Sequence, residues 1–257
     1  MKILAVGDIF GECGVEHTSF VLRSVIADEN IDFCIANGEN ASGTGIMIKD
    51  YNILTDAGVD FFTLGNHTIG KKDVIKLFGM HSNIIRPANY PSAAPGKGSA
   101  IVSCRGKKIG IINLMGRVDI GVSLDCPFAA ADREIDALKD KCDFIVVDFH
   151  AEATSEKRAM MYYIDSRASV LFGTHTHVAT ADETITPRGM GYITDIGMTG
   201  AEDSILGVEK DIILKRFLTG VHQKFEFASG RAVLNGAVFT LDDDSGKCVE
   251  VKRIQVR

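Results

Sequence analysis

The chain has 257 residues, 46% of them hydrophobic and 24% charged, with a formal net charge of −6. That length suits one large domain spanning 1–257 with a sizeable core, and is short for two. The acidic balance, with no dense basic run, gives no support for extended contact with RNA or DNA, and no stretch approaches the roughly 18 apolar residues of a membrane span.

In chain order, the first apolar run is Lys2–Val6, followed at once by Gly7-Asp8. It is too short for the core of a signal peptide, so a cytoplasmic protein with no membrane partner is expected. Glu16–Asn30 then has helical character, with Phe20, Val21, Val25 and Ile26 at helical spacing. A second apolar run, Phe33–Ala36, meets Asn37-Gly38-Glu39-Asn40. A helical stretch, Lys49–Ala57, leads to a third run, Phe61–Leu64, which meets Gly65-Asn66-His67. Lys71–Leu77 reads as a helix, Tyr90–Gly98 as a loop, and Gly98–Leu114 as a hairpin turning at Cys104-Arg105-Gly106-Lys107.

Further on, helical Ala129–Lys141 precedes Phe144–Val147, which runs into Asp148-Phe149-His150. Helical Ser155–Ser166 precedes Ser169–Phe172, which runs into Gly173-Thr174-His175-Thr176-His177. The last third carries Lys224–Phe227, Ala232–Leu241 and Cys248–Val256, with turns at Ser229-Gly230 and Asp242–Gly246; it has antiparallel β character without helices. Short apolar runs bounded by turn formers read as buried strands, and their alternation with helices as an α/β fold. The hairpin and the C-terminal strands call for two sheets instead of one doubly wound sheet. The six cysteines are widely spread without a C-x-x-C pair, and Cys34 and Cys142 sit in or beside apolar runs. Cys34 and Cys142 read as buried thiols, and all six as structural.

The chemistry gathers where apolar runs stop. Asp8, Glu39, Asn40, Asn66, His67, His150, His175 and His177 all follow predicted strands, and four of the seven histidines are among them. Strand C-terminal ends are where α/β folds collect functional groups. Carboxylate and amide oxygens with imidazole nitrogens suit divalent Mn, Fe or Zn, and no soft thiolate set accompanies them. Taken singly, each has an ordinary explanation. Asp8 could be a turn or cap residue, Glu39 a solvated carboxylate, Asn66 a turn residue, and His67 or His150 a satisfied histidine. His175 and His177, two apart, would share one face of a strand, which also suits a surface patch. Their co-occurrence at five strand ends is the specific signal.

Gly7-Asp8, Asn37-Gly38-Glu39-Asn40, Gly65-Asn66-His67, His150 and Gly173-Thr174-His175-Thr176-His177 resemble, in order and spacing, the calcineurin-like metallophosphoesterase superfamily. Asn37–Ser42, His150–Lys157, Gly173–Val178 and Asp195–Gly200 resemble its YmdB-like branch in particular, which includes 2′,3′-cyclic-nucleotide phosphodiesterases. Where the wider superfamily has a histidine, a bridging Asp and a further Asp, this chain has Phe10, Glu39 and Thr68, as that branch does.

The resemblance implies a four-layer α/β/β/α sandwich, with two central mixed sheets flanked by helices. It implies two transition-metal ions, Fe or Mn with Zn as a third choice. One ion would be held by Asp8, Glu39 and His177, the other by Glu39, Asn66, His150 and His175, with Glu39 bridging. Asn40 would ligate or orient substrate. A hydroxide bridging the ions would attack a small phosphodiester, with His67 protonating the leaving oxygen and a 2′,3′-cyclic nucleotide opening to a 3′-monophosphate. Two other readings share these residues: a phosphomonoesterase or 5′-nucleotidase, and a regulatory protein that binds a nucleotide or RNA end with incidental hydrolysis. Glu152, Thr154, Ser155, Asp195 and Thr199 read as supporting residues, with Thr154-Ser155 also reading as a helix start, and Arg117 as a surface residue. Exposed C-terminal strand edges leave room for pairing into a homo-oligomer.

Overall fold

Lys2–Val6 is apolar on both faces because both faces are covered. Ile3 and Ala5 point into one core, Leu4 and Val6 into another. The computed structural model describes residues 1–257. Its first half runs β1 (Lys2–Val6), β2 (Asp8–Ile9), α1 (Gly11–Glu29), β3 (Phe33–Asn37), α2 (Ile48–Ala57), β4 (Phe61–Thr63), α3 (Asp73–Met80), β5 (Ser99–Cys104), β6 (Lys107–Met115) and α4 (Pro127–Leu138). Then follow β7 (Phe144–His150), α5 (Thr154–Ile164), β8 (Val170–Thr174), β9 (Thr184–Ile185), β10 (Gly191–Ile193), β11 (Met198–Ala201), α6 (Lys210–Thr219), β12 (Ala232–Leu241) and β13 (Cys248–Val256).

Two mixed sheets form. One has seven strands in the order β2-β11-β12-β1-β3-β4, with β13 also paired to β12; the other has six, β5-β6-β7-β8-β10-β9. Within them β1, β3 and β4 run parallel, as do β6, β7, β8 and β10. Ile3, Phe33, Ile35 and Phe61 of the first sheet meet Ile109, Ile111, Phe144 and Phe172 of the second in a core between the sheets. Outside the first sheet, Leu4, Cys34 and Phe62 pack under Leu22, Leu54 and Leu77 from α1, α2 and α3. Outside the second, Leu114, Val147 and Phe149 pack under Ile135, Met160 and Ile164 from α4 and α5. This is the four-layer α/β/β/α sandwich that the resemblance implies. Each fully buried Phe or Leu contributes about 1.5–3 kcal/mol, so the strands need no intrinsic propensity to be held.

Apart from Lys224–Phe227, the strands and helices expected from the sequence are present, with boundaries moved by a few residues. The Arg105-Gly106 turn closes the β5–β6 hairpin with φ of 49° and 80°, as a two-residue hairpin loop requires.

Four details differ. Phe20 is 84% exposed: the buried stripe of α1 passes through Thr18, Val21, Leu22 and Val25, and Phe20 falls beside it. A helix, α6, stands in the last third; its apolar residues cover little, so no amphipathic stripe announced it. Lys224–Phe227 is not a strand, since only Phe227 bridges, to Val208. Cys142 is half-buried, while Cys34 and Cys248 are buried; all six cysteines are free thiols. No helix is long and apolar enough to cross a membrane.

Candidate metal centre

The parallel strands of both sheets end at one place, and their ends carry the polar groups. Asp8 lies in β2, just past the break at Gly7; Glu39 and Asn40 follow β3; Asn66 and His67 follow β4; His150 ends β7; His175 and His177 follow β8. Asp8, Glu39, Asn40 and His150 are buried, and Asn66, His67, His175 and His177 are half-buried. Gly65 belongs to the same design, because a Cβ there would overlap the His150 imidazole.

The tightest group is Glu39, His150 and His175, whose ligand atoms lie within 4.8 Å of one another. His150 Nε2 is 3.3 Å from Glu39 Oε1 and 2.8 Å from Asn66 Oδ1. His175 Nδ1 approaches His150 Nε2 to 3.0 Å. Asp8 flanks this group: its Oδ2 accepts the His175 backbone N–H at 3.0 Å, and its buried Oδ1 has no hydrogen-bond partner. A buried carboxylate oxygen left bare is costly unless a cation meets it. His177 turns Nε2 to Asn40 Nδ2 at 3.2 Å and Nδ1 to the Leu206 carbonyl at 3.2 Å.

Around these residues, hydrogen bonds fix which atoms face inward. The Thr174 hydroxyl donates to Asp148 Oδ1 at 2.8 Å. It therefore accepts from His150 Nδ1–H at 2.9 Å, which leaves Nε2 as the inward nitrogen. Asn37 ties the layers together: its amide donates to Asp148 Oδ2, and its Oδ1 accepts the Glu39 N–H. Asn40 presents Nδ2 to Glu39 Oε1 at 3.0 Å and Oδ1 to His67 Nδ1 at 2.9 Å. The His67 N–H donates to Glu39 Oε2 at 2.9 Å, while its ring stands 38% exposed at the edge.

Charge follows this geometry. Burial opposes a charge on His150, yet Glu39, Asp8 and Asp148 outweigh it and push its pKa up to about 9. Burial, then the neighbouring His150, pushes His175 down to about 3. Burial would raise Glu39, but His150 and His67 hold it well below the ordinary carboxylate range. Asp8 goes up because burial outweighs His150 and His177.

The sequence puts Asp8, Glu39, Asn66, His150, His175 and His177 at strand ends but does not show what holds them. His175 and His177 are not alternating strand residues; both lie past β8 with left-handed φ of 98° and 64°, a conformation that costs a non-glycine residue about 1–3 kcal/mol. A buried ion pair supports that loop. Lys157 Nζ lies 2.6 Å from Asp195 Oδ2 and donates to the Thr174 carbonyl at 2.8 Å. Asp195 also accepts from the Thr176 N–H and hydroxyl and from the Gly197 N–H. Asp195 thus anchors the histidine loop, and Lys157 adds to the supports expected from sequence. Glu152 lies 3.3 Å from His175 Nε2. Thr154 and Ser155 are exposed at the start of α5, Thr199 bonds to Asn235 within β-structure, and Arg117 is exposed.

Donor chemistry and the bare Asp8 oxygen fit metal ions. A cavity of about 860 Å³ near Asp136, Lys139, Arg167 and Lys247 contains none of these residues and sits at the opposite ends of β7 and β8. The convergence of candidate ligand atoms on Glu39, His150 and His175, not cavity size, marks the candidate centre.

Residues 4–254 match the family described as YmdB-like protein. A 2′,3′-cyclic-nucleotide 2′-phosphodiesterase of Bacillus subtilis (strain 168) is 43% identical over 257 residues, covering 100% of this chain and 97% of the relative. The crystal structure of a hypothetical protein from Thermus thermophilus superposes with a TM-score of 0.92 at 40% identity, covering 100% of this chain and 99% of that one. That of a novel phosphatase from Mycoplasma pneumoniae gives 0.93 at 34% identity, covering 100% and 93%.

Proposed function

The chain belongs to the YmdB-like protein family, and on that premise we propose that it is a metal-dependent phosphodiesterase whose substrates are 2′,3′-cyclic nucleotides, opened to 3′-monophosphates. The observation that carries the reading is the buried meeting of Glu39 with His150 and His175, beside an Asp8 oxygen with no partner.

In this reading Glu39, Asn66, His150 and His175 hold one ion, and Asp8, Glu39 and His177 the other, with Glu39 shared. We take Fe or Mn as the ions, with Zn next, on the strength of the family resemblance; oxygen and imidazole donors accept all three. Such ions, when bound, supply Lewis acidity to the phosphoryl oxygens and an acidified water. The chain's own residues do the remaining work. Asn40 Oδ1 fixes the His67 ring through Nδ1, and Nε2 rests against the Asn66 amide at 3.3 Å; exchanging that contact for the departing ribose oxygen would let a protonated His67 deliver its Nε2 proton there. Asn40 also borders both Glu39 and His177, a place from which its amide can orient a phosphoryl oxygen. Asp148 and Thr174 keep the His150 lone pair turned inward.

The test is a panel of 2′,3′-cyclic, 3′,5′-cyclic and 5′-monophosphate nucleotides, each with Mn, Fe and Zn. Fastest turnover of the 2′,3′-cyclic compounds is expected. Preference for 5′-monophosphates would replace the reading with a nucleotidase, and silence on all three classes would favour a binding role.

A further inference from the structure

Phe227 stands beside the candidate centre, half in solvent. It is 50% exposed, and its covered side rests on two glycines. A Cβ on Gly43 would overlap the ring at Cζ, and one on Gly11 would touch Cγ at 3.7 Å. The N–H groups of Gly43 and Gly11 both donate to the Asn40 carbonyl, at 2.8 and 2.9 Å. Asn40 in turn holds His67 through Oδ1 and borders Glu39 and His177 through Nδ2. The ring therefore leans on the turn whose side chain joins the candidate proton donor to the candidate ligands.

A short strap fixes the ring there. Residues 226–228 pair with residues 207–209: the Glu209 N–H donates to the Glu226 carbonyl at 3.0 Å, and the Ala228 N–H to the Gly207 carbonyl at 2.9 Å. The neighbouring Leu206 carbonyl lies 3.2 Å from His177 Nδ1. Phe10 fills the corner between them. Its ring is edge-on to Phe227, with centroids 5.3 Å apart, and edge-on to His177, with centroids 5.4 Å apart. The strap thus positions a candidate ligand and an open aromatic ring together. Phe225 has the Arg216 guanidinium 5.2 Å from its ring centroid. Phe227 has no cation over it and no aromatic neighbour besides Phe10.

In a 2′,3′-cyclic nucleotide the departing oxygen sits on C2′, and the base on C1′, the next carbon of the ribose ring. With that oxygen at His67, the base falls within the rim around Asn40. A base offers a flat π-face that stacks on aromatic side chains. We propose, on the cyclic-nucleotide reading of the centre, that the open face of Phe227 is the stacking platform for the substrate's base. Phe227 is then a specificity residue that separates nucleotides from phosphodiesters without a base. A bare ring reads stacking area and no hydrogen-bond pattern, so it accepts every base and favours the larger purines.

Steady-state kinetics and an equilibrium probe test the platform separately. Phe227→Ala should raise KM for 2′,3′-cyclic AMP by roughly 5- to 140-fold, the range that stacking one base on a ring gives under alanine substitution, with kcat and metal content held. KM for 2′,3′-cyclic UMP should rise less. KM for the cyclic phosphate of methyl riboside, which has no base, should not move. Phe227→Tyr keeps the ring and should keep the wild-type KM for all three. The chain has no tryptophan, so Phe227→Trp introduces a single indole. Its fluorescence should be quenched by 3′-AMP and left unchanged by ribose phosphate. An unchanged KM in Phe227→Ala, an equal rise for the nucleotide and the base-free ester, or an indole that ignores 3′-AMP overturns the platform. A wild type silent on cyclic nucleotides would instead remove the proposed activity, and the indole response then decides the base site by itself. The same response decides it if Phe227→Ala does not fold.

Discussion

His150 Nε2 and His175 Nδ1 face each other at 3.0 Å. Two imidazole lone pairs do not sit at that distance without a proton or a cation between them. In the metal-free chain the proton belongs to His150, pushed up to about 9 by its carboxylate neighbours against its burial, while His175 is pushed down to about 3.

The sign of the resulting pH dependence is fixed. His150's folded pKa of about 9 lies above its ordinary 6.5. Its contribution to stability is complete below 6.5 and is lost as pH rises through 9. Chelator-treated protein should therefore melt at a progressively lower temperature across that window. Metal binding needs the same nitrogen bare, so adding Mn should release protons, with affinity rising over the same range. Melting temperatures flat between pH 6.5 and 9 would count against this assignment.

Glu39→Gln keeps the volume of a side chain that touches His150, Asn40 and His67 but removes its charge. Metal retention should weaken by more than the roughly 10- to 100-fold typical of an outer-sphere partner, with turnover falling alongside and the circular dichroism spectrum unchanged. Elemental analysis showing wild-type metal content, together with wild-type turnover, would remove Glu39 from the centre.

His67→Ala should leave metal content intact and slow hydrolysis of an ester with a poor leaving group by roughly 10²- to 10⁴-fold. A good leaving group such as p-nitrophenolate needs no proton, so bis-p-nitrophenyl phosphate should be slowed far less. Equal slowing of the two esters would exclude His67 as the acid.

Lys157→Met strands the buried Asp195 carboxylate. Breaking a buried pair from one side typically costs about 3–5 kcal/mol. Urea unfolding should show a loss of that size, and Lys157→Met combined with Asp195→Asn should recover part of it. A loss below about 1 kcal/mol in the single variant would mean that water reaches the site and the pair is not a structural clamp.

The strand ends were legible because an apolar run that halts at Asp, Asn or His needs no tertiary information to be noticed. Asp8, Glu39, Asn66, His150, His175 and His177 all stood out that way. Their supports did not. Asn37 reaches Asp148 across 111 residues of sequence and Lys157 reaches Asp195 across 38; only folding reveals that these polar groups are buried and paired. Phe20 failed for the opposite reason. Its apolarity matched the helix around it, while a turn of about 100° per residue set it outside the buried stripe. α6 was silent because a helix that packs little leaves little periodic trace.

The placement of β12 has a consequence for how the chain comes to life. Strand β1 is held between β3 and β12, and β12 spans Ala232–Leu241. During vectorial synthesis all the candidate ligand residues through His177 emerge before one neighbour of β1 exists. The first sheet cannot close until β12 has been made, and the strand-end residues it contributes stay unfixed until then. A nascent chain should thus remain inert until β12 emerges, and deleting β12 and β13 should abolish the centre from more than 50 residues away along the sequence.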